Sequence, residues 1–224
     1  VQTVVFDLDG TLVDTAADLV AAANACFRAR DMGNLLDPAA DARTAFHGGR
    51  AMLALGHARA GTADAAQLIE EDYLRLLGHY ADHICVHSRL YPGAAGAVAA
   101  LRTAGYRTAI CTNKPEGLAR NLLDKLGVTG LFDALIGADT LPTRKPDPAP
   151  YHAAVERAGG AVARSLLIGD TKTDRETALA VGVPCVLVSF GPEGRDIARL
   201  DPEAMLDSYA DLSALIARFL PLHV

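Results

Sequence analysis

VQTVVFDLDGTLVDT, residues 1–15, begins with an apolar run, Thr3, Val4, Val5 and Phe6, that reads as a buried strand and stops at Asp7 and Asp9. Side chains on an extended segment alternate faces, so the two carboxylates point to the same side of the same edge. Like charges that close cannot both ionise cheaply: either one is protonated or a cationic group lies between them. The competing reading is a solvated turn, since Asp and Gly are common where a strand stops. On these residues alone the two readings stand level.

Outward from that stretch the chain changes pattern twice. After Asp14 it is Ala-rich and compatible with helix to about Val86, with breaks at DMGNLLDP (31–38), HGG (47–49) and GTAD (61–64), and it holds no convincing strand. From LYPGAAGAVAALRTAG (90–105) onward, strands and helices alternate. TAIC (108–111), SLLIG (165–169) and PCVLVSF (184–190) are strand candidates, with ALIGA (134–138) a weaker one. Leu118, Leu122 and Leu126, preceded by Pro115 and followed by Gly127, predict an amphipathic helix with ordinary end signals. Such alternation predicts an α/β fold with a doubly wound parallel sheet that the opening strand joins. Residues 1–14 and 89–224 then form the core domain and 15–88 a helical insertion. An insertion at that place is expected to cover a site, because open parallel sheets bind ligands beyond the carboxyl ends of their strands.

Composition narrows the function classes. The chain has 224 residues, half of them hydrophobic, enough for a substantial core. No apolar stretch reaches the ~18 residues of a membrane helix, and no signal-like segment precedes the first strand, so a cytoplasmic protein without membrane partners is expected. Cys26, Cys85, Cys111 and Cys185 are scattered and read as buried, reduced thiols. A formal charge of −6 and few aromatics argue against nucleic acid, which needs a basic stripe with stacking residues. An anion would need local help from a metal ion, a lysine or helix N-termini.

Candidate residues stand immediately after the strands: Asp7, Asp9, Gly10 and Thr11 after the first, Thr112 and Asn113 after TAIC, Asp170 after SLLIG with Asp174 a helical turn on. Lys145 lies in the RKPDP turn (144–148) that follows the weaker strand. Each alone has a bland reading, as an N-cap, a turn residue or a surface lysine. Together they are hard to dismiss as coincidence. In this order they resemble the haloacid dehalogenase superfamily, whose phosphatases carry D-x-D-G-T, a Ser or Thr after the second strand, a distant Lys and G-D-x-x-x-D. CTNKPEGLAR (111–120), GADTLPTRKPDPAP (137–150) and YPG (91–93) look most like its bacterial phosphoglycolate phosphatases. The resemblance implies a Rossmann-like core with a helical cap.

A carboxylate is already ionised at neutral pH, so Asp7 can attack phosphorus without an activating base. A divalent cation offsets the repulsion between a phosphomonoester and that carboxylate, and Mg²⁺ prefers hard oxygen ligands such as Asp7 and Asp170. The resemblance adds the Asp9 backbone carbonyl as a metal ligand, and implies that Asp9 serves as acid and then base. It implies further that Lys145, Thr112 and Asn113 bind the phosphoryl group, and that Asp174 and Thr11 support these residues from behind. Arg50, in FHGGR (46–50), has the fork geometry to meet a substrate carboxylate, against an even reading as a surface arginine opening a helix. His79, His83 and His87 recur at helical spacing and are read as a polar helix face rather than a zinc site.

The expected activity is Mg²⁺-dependent hydrolysis of a small phosphate ester, 2-phosphoglycolate or a similar phosphorylated acid, through an aspartyl-phosphate. A phosphohexomutase resembling β-phosphoglucomutase would use the same core residues. From another class, a phospho-acceptor signalling module also gathers acidic residues, Thr and Lys at a sheet edge. A dehalogenase has no need of the acid/base Asp9, and a silent binding protein has no need of the nucleophile and lysine together. Oligomeric state is not readable from the pattern.

Overall fold

The structure, a computed structural model, describes residues 1–222. Thr3–Phe6 forms β1, flanked in parallel by β4 (Arg107–Cys111) on one side and β6 (Ser165–Gly169) on the other. β5 (Ala134–Ile136) continues outward from β4, and β7 (Cys185–Val188) and β8 (Ala204–Leu206) from β6, giving the order β5-β4-β1-β6-β7-β8. Every pairing in this sheet is parallel. β2 (Val13–Asp14) and β3 (Arg89–Leu90) form a separate two-stranded sheet. The expected doubly wound α/β class is what the chain adopts.

Register is what places the candidate residues. Thr3 pairs with both Arg107 and Ser165, and Phe6 with both Ile110 and Ile168, so β1, β4 and β6 finish level. The residues following each strand therefore emerge together, and the strand order reverses at β1, the switch point where ligand crevices form.

Both faces of the sheet are covered. Val5, Ala109, Cys111, Leu167, Cys185 and Leu187 join one core with Tyr151, Ala154 and Val155 of α7 (Ala149–Arg157) and Ala178 of α8 (Lys172–Val181). The alternate residues Val4, Phe6, Ile110, Leu166, Ile168 and Val186 are equally buried. Each such side chain contributes about 1.5–3 kcal/mol over its exposed state, which anchors β1 despite the carboxylates that follow it. Burial on both sides also explains why these strands read as continuous apolar runs rather than alternating ones. α5 (Ala94–Ala104) packs on β4 and against α9 (Leu212–Phe219).

The amphipathic helix expected between Pro115 and Gly127 forms, with a buried line of its own, and one strand is additional. The stripe Leu118, Leu122, Leu126 is not the buried line of α6 (Glu116–Lys125). Ala119, Leu122 and Leu123 are buried, and Leu118 and Leu126 are only half-buried. The small Ala119 lets the helix settle on a line rotated from the leucine row. β8 was not expected at all: three residues at a sheet edge are too short to show a pattern.

The chain divides into two compact units, Val1–Val13 with the chain from Leu90 onward, and Asp14–Arg89. The second contains α1 (Ala16–Arg28), α2 (Ala42–Ala45), α3 (Gly49–Arg59) and α4 (Ala66–Asp82). Within it α1 and α3 approach closely because residue 56 is glycine. A Cβ there would stand 2.1 Å from the Phe27 ring. Buried Asp72 of α4 is neutralised by a forked bond from Arg30 at 2.7 and 2.9 Å. Of the four cysteines, all free, Cys26, Cys111 and Cys185 are buried as expected, whereas Cys85 is half-buried in a left-handed turn with φ of 72°.

Candidate active site

β1 ends at Phe6, but the sheet bond continues one residue further, with the Asp7 N–H donating to the Ile168 carbonyl at 2.8 Å. The chain then turns. Leu12 and Val13 N–H both return to the Leu8 carbonyl, and Gly10 N–H reaches Val13. Asp9 thus lies in a turn and not on an extended strand, so strict alternation does not carry to it. The two carboxylates also do not share one cation. Lys145 Nζ lies 3.1 Å from Asp7 Oδ1, and Lys114 Nζ donates to Asp9 Oδ1 at 2.8 Å. Each aspartate of the opening stretch has its own buried ammonium.

Lys145 is held from behind. Its Nζ donates to Asp174 Oδ1 at 2.6 Å. The other oxygen, Asp174 Oδ2, accepts from Thr171 Oγ1 at 2.6 Å and from the N–H groups of Thr171 and Asp170 at 3.1 and 3.3 Å, tying the first turn of α8. Both oxygens of Asp174 are therefore committed. Gly169 makes this possible, since a Cβ there would lie 2.3 Å from Asp174 Cγ. Asn113 supports Lys145 from the chain side, its Nδ2 donating to the Lys145 carbonyl at 3.0 Å. Thr112, buried at the end of β4, accepts the Lys114 N–H on Oγ1 at 3.1 Å.

Asp170 is 2% exposed. Thr11 Oγ1 donates to its Oδ1 at 2.8 Å, while its Oδ2 is buried with no hydrogen-bond partner. Gly10, at φ of 80°, faces that oxygen: a Cβ at residue 10 would stand 2.1 Å from it. Among the described residues, Asp7, Asp170 and Asp174 form the one group of His, Cys, Asp and Glu ligand atoms near enough to share an ion, all within 4.8 Å.

The electrostatics point the same way. Burial above all pushes the Asp7 carboxyl up to about 7; Lys145 draws it down, Asp174 and Asp9 raise it further. Asp170 is raised well above the usual carboxylate range by burial, then by Asp7 and Asp174. Burial opposes the charge on Lys145, but Asp174 and Asp7 outweigh it and hold the ammonium above its ordinary value. Three carboxylates face one ammonium, so with all of them ionised two negative charges are uncompensated. That deficit, the orphaned Asp170 oxygen and an all-oxygen donor set fit a hard divalent cation. Asp174, with no free oxygen, fits a supporting place better than a ligand's.

The structure thus gathers Asp7, Asp9, Thr11, Thr112, Asn113, Lys145, Asp170 and Asp174 at one sheet edge. Arg50 belongs to the helical unit. There it forks onto Glu70 at 2.7 and 2.8 Å, its guanidinium 3.6 Å from the centre of the Tyr73 ring. His79 and His83 stack at 4.2 Å, but α4 stops at Asp82, and the His87 N–H instead donates to Asp18 at 2.9 Å. Lys114 was not singled out by the pattern, although it follows Thr112 and Asn113 at the end of β4 and the same positional rule reaches it.

Comparison with known proteins gives the family and the fold. Residues 1–182 match the sequence model of haloacid dehalogenase-like hydrolases. The phosphoglycolate phosphatase of Mesorhizobium japonicum is 41% identical over 216 residues, covering 96% of this chain and 94% of that protein. That of Rhodospirillum rubrum is 40% identical over 216 residues, covering 94% and 89%. The crystal structure of a predicted phosphoglycolate phosphatase from Haemophilus somnus superposes with a TM-score of 0.84 at 25% identity, covering 96% of this chain and 97% of the other.

Proposed function

The chain belongs to the haloacid dehalogenase-like hydrolase family, and on that premise we propose that it is a Mg²⁺-dependent phosphomonoesterase acting on 2-phosphoglycolate or a similarly small phosphorylated acid. The observation that carries the reading is the Asp7, Asp170, Asp174 and Lys145 cluster at the switch point, with one buried Asp170 oxygen open. The carboxylates of Asp7 and Asp170 and the Asp9 carbonyl would hold the cation. When bound, it supplies the positive charge that lets a dianionic ester approach a carboxylate.

The chain's own residues do the rest. An oxygen of Asp7 attacks phosphorus while the ester P–O bond breaks and Asp9 gives its proton to the leaving oxygen. Water then attacks the aspartyl-phosphate, Asp9 takes its proton, and the bond between phosphorus and Asp7 breaks to release inorganic phosphate. The Leu8 N–H, at 2.7 Å, and Lys145 orient Asp7 from one side before substrate arrives. Lys145, the Thr112 hydroxyl and the Asn113 N–H receive the phosphoryl oxygens. We place the enzyme in the cytoplasm, where buried free thiols such as Cys111 and Cys185 persist.

A panel of phosphate esters assayed with Mg²⁺ and with chelator tests this. Phosphate release from phosphoglycolate that stops with chelator and returns with Mg²⁺ is expected. Interconversion of hexose phosphates without release would make the protein a mutase, and one stable phosphorylation per molecule would make it a signalling module. Arg50 is the open question of specificity, since it would have to exchange Glu70 for a substrate carboxylate. If it does, Arg50→Ala raises KM for phosphoglycolate and leaves an uncharged aryl phosphate untouched. An equal change in both assigns the fork to the stability of the helical unit.

A further inference from the structure

The supports of Asp170 include residues from the C-terminal part of the chain to which no motif points. Thr11 uses its hydroxyl on Asp170 Oδ1. Its backbone carbonyl accepts the phenol O–H of Tyr209 at 2.7 Å, across 198 residues of sequence. Tyr209 is 2% exposed and sits in a turn after β8. Phe190 lies against it at 5.3 Å between ring centres, and against Tyr91 at 4.9 Å. Beside Phe190, Gly191 closes the other side, where a Cβ would stand 3.0 Å from the Gly10 carbonyl oxygen and 3.1 Å from Asp170 Cβ.

We propose that Tyr209 is a positioning residue for the divalent cation: by fixing the Thr11 backbone it fixes the Thr11 hydroxyl, and thereby which oxygen of Asp170 is presented to the ion. The inference rests on the reading of Asp170 as a metal ligand. A β-branched side chain has few rotamers, so the direction of the Thr11 hydroxyl follows its backbone. That backbone follows Gly10, at φ of 80°, and the turn's own bonds, from Leu12 and Val13 N–H to Leu8 and from Gly10 N–H to Val13, leave the Thr11 carbonyl to Tyr209. Groups that orient a ligating carboxylate are typically worth about 10- to 100-fold in metal affinity.

The test uses Mn²⁺, which like Mg²⁺ prefers oxygen ligands in octahedral geometry, with the free ion followed by electron paramagnetic resonance. Tyr209→Phe removes one oxygen and keeps the ring. Its control is Tyr106→Phe, which deletes an equivalent buried bond, Tyr106 O–H to the Leu220 carbonyl at 2.7 Å, at the opposite end of β4. Tyr209→Phe should weaken Mn²⁺ binding about tenfold, and Tyr106→Phe should bind as the wild type. Melting in chelator should fall similarly for both, so that a structural loss is read separately from affinity. Unchanged affinity in Tyr209→Phe, or equal weakening in both, overturns the proposal. Thr11→Val probes the relay from its other end and stands in if Tyr209→Phe does not fold; wild-type affinity there overturns the proposal too. Absence of Mn²⁺ binding in the wild type, or its persistence in Asp170→Asn, refutes the metal-ligand reading itself, and the inference falls with it.

Discussion

In the proposed mechanism Asp9 contributes two groups, its backbone carbonyl and its side-chain carboxyl, and substitution can separate them. Asp9→Asn keeps the backbone carbonyl and an oxygen for Lys114 but loses the carboxyl's charge and proton, and losing an acid/base group typically costs about 10²- to 10⁴-fold. With an alkyl phosphate the first step should stall. An activated aryl phosphate leaves unaided, so rapid quench should show a burst of aryl alcohol close to one per site, then a very slow steady state. Absence of the burst in a variant that still binds substrate would mean Asp9 is needed for the first transition state. Its partner Lys114 invites a second substitution. Lys114→Met keeps the stem and removes the ammonium, so kcat should fall about 10- to 100-fold with KM nearly constant. A raised KM at unchanged kcat would put Lys114 on the substrate instead. Asp7, Thr112, Asn113 and Asp170 could be found in sequence because they stand directly after apolar runs, whereas Lys145 and Asp174 were legible through the family resemblance. Lys114 escaped because a lysine before Pro115 looks like a solvated helix start. Tyr209 escaped because the short β8 before it leaves no trace.

At the scale of elements, the turn from Asp7 to Val13 is constrained twice over. Gly10 carries both reasons: a left-handed φ, which costs other residues about 1–2 kcal/mol, and a Cβ position already occupied by the Asp170 carboxylate. Gly10→Ala should therefore abolish metal-dependent activity while changing the melting temperature in chelator by only a few degrees. A fully active variant would show that Asp170 can swing away, and that its observed position is not the working one. The strands were legible because fully buried parallel strands give unbroken apolar runs bounded by turn residues. The helix α6 was legible in its ends, Pro115 and Gly127, but not in its buried line, because Ala119 contributes to the contact without marking a hydrophobic stripe.

For the whole molecule, the buried charge deficit ties stability to pH. Asp7, raised to about 7, and Asp170, also raised, hold more protons in the ion-free folded chain than in the unfolded chain between about pH 4 and 7. The stability those protons confer is full at the acid end of that window and is lost as pH rises through the folded values. A divalent cation replaces the protons, so its stabilising effect should grow over the same range. At about 100 times its Kd it should contribute roughly 2.7 kcal/mol near pH 8, about 5–10 °C in melting temperature, and much less at pH 5. Equal gains at both pH values would show that the cation does not meet these carboxylates.

The central position of β1 carries a further consequence, for synthesis. It is made before every other strand of its sheet, and its neighbours begin only at Arg107 and Ser165. At about 5–20 residues per second, roughly 8–30 seconds pass before both edges of β1 have partners. Throughout that interval Asp7 has no Asp170 beside it, whereas every residue of Asp14–Arg89 is out early and packs largely with itself. On the proposed mechanism the nascent chain therefore has no working site until β6 has emerged, and β1, with both edges unpaired, is open to wrong pairing while it waits.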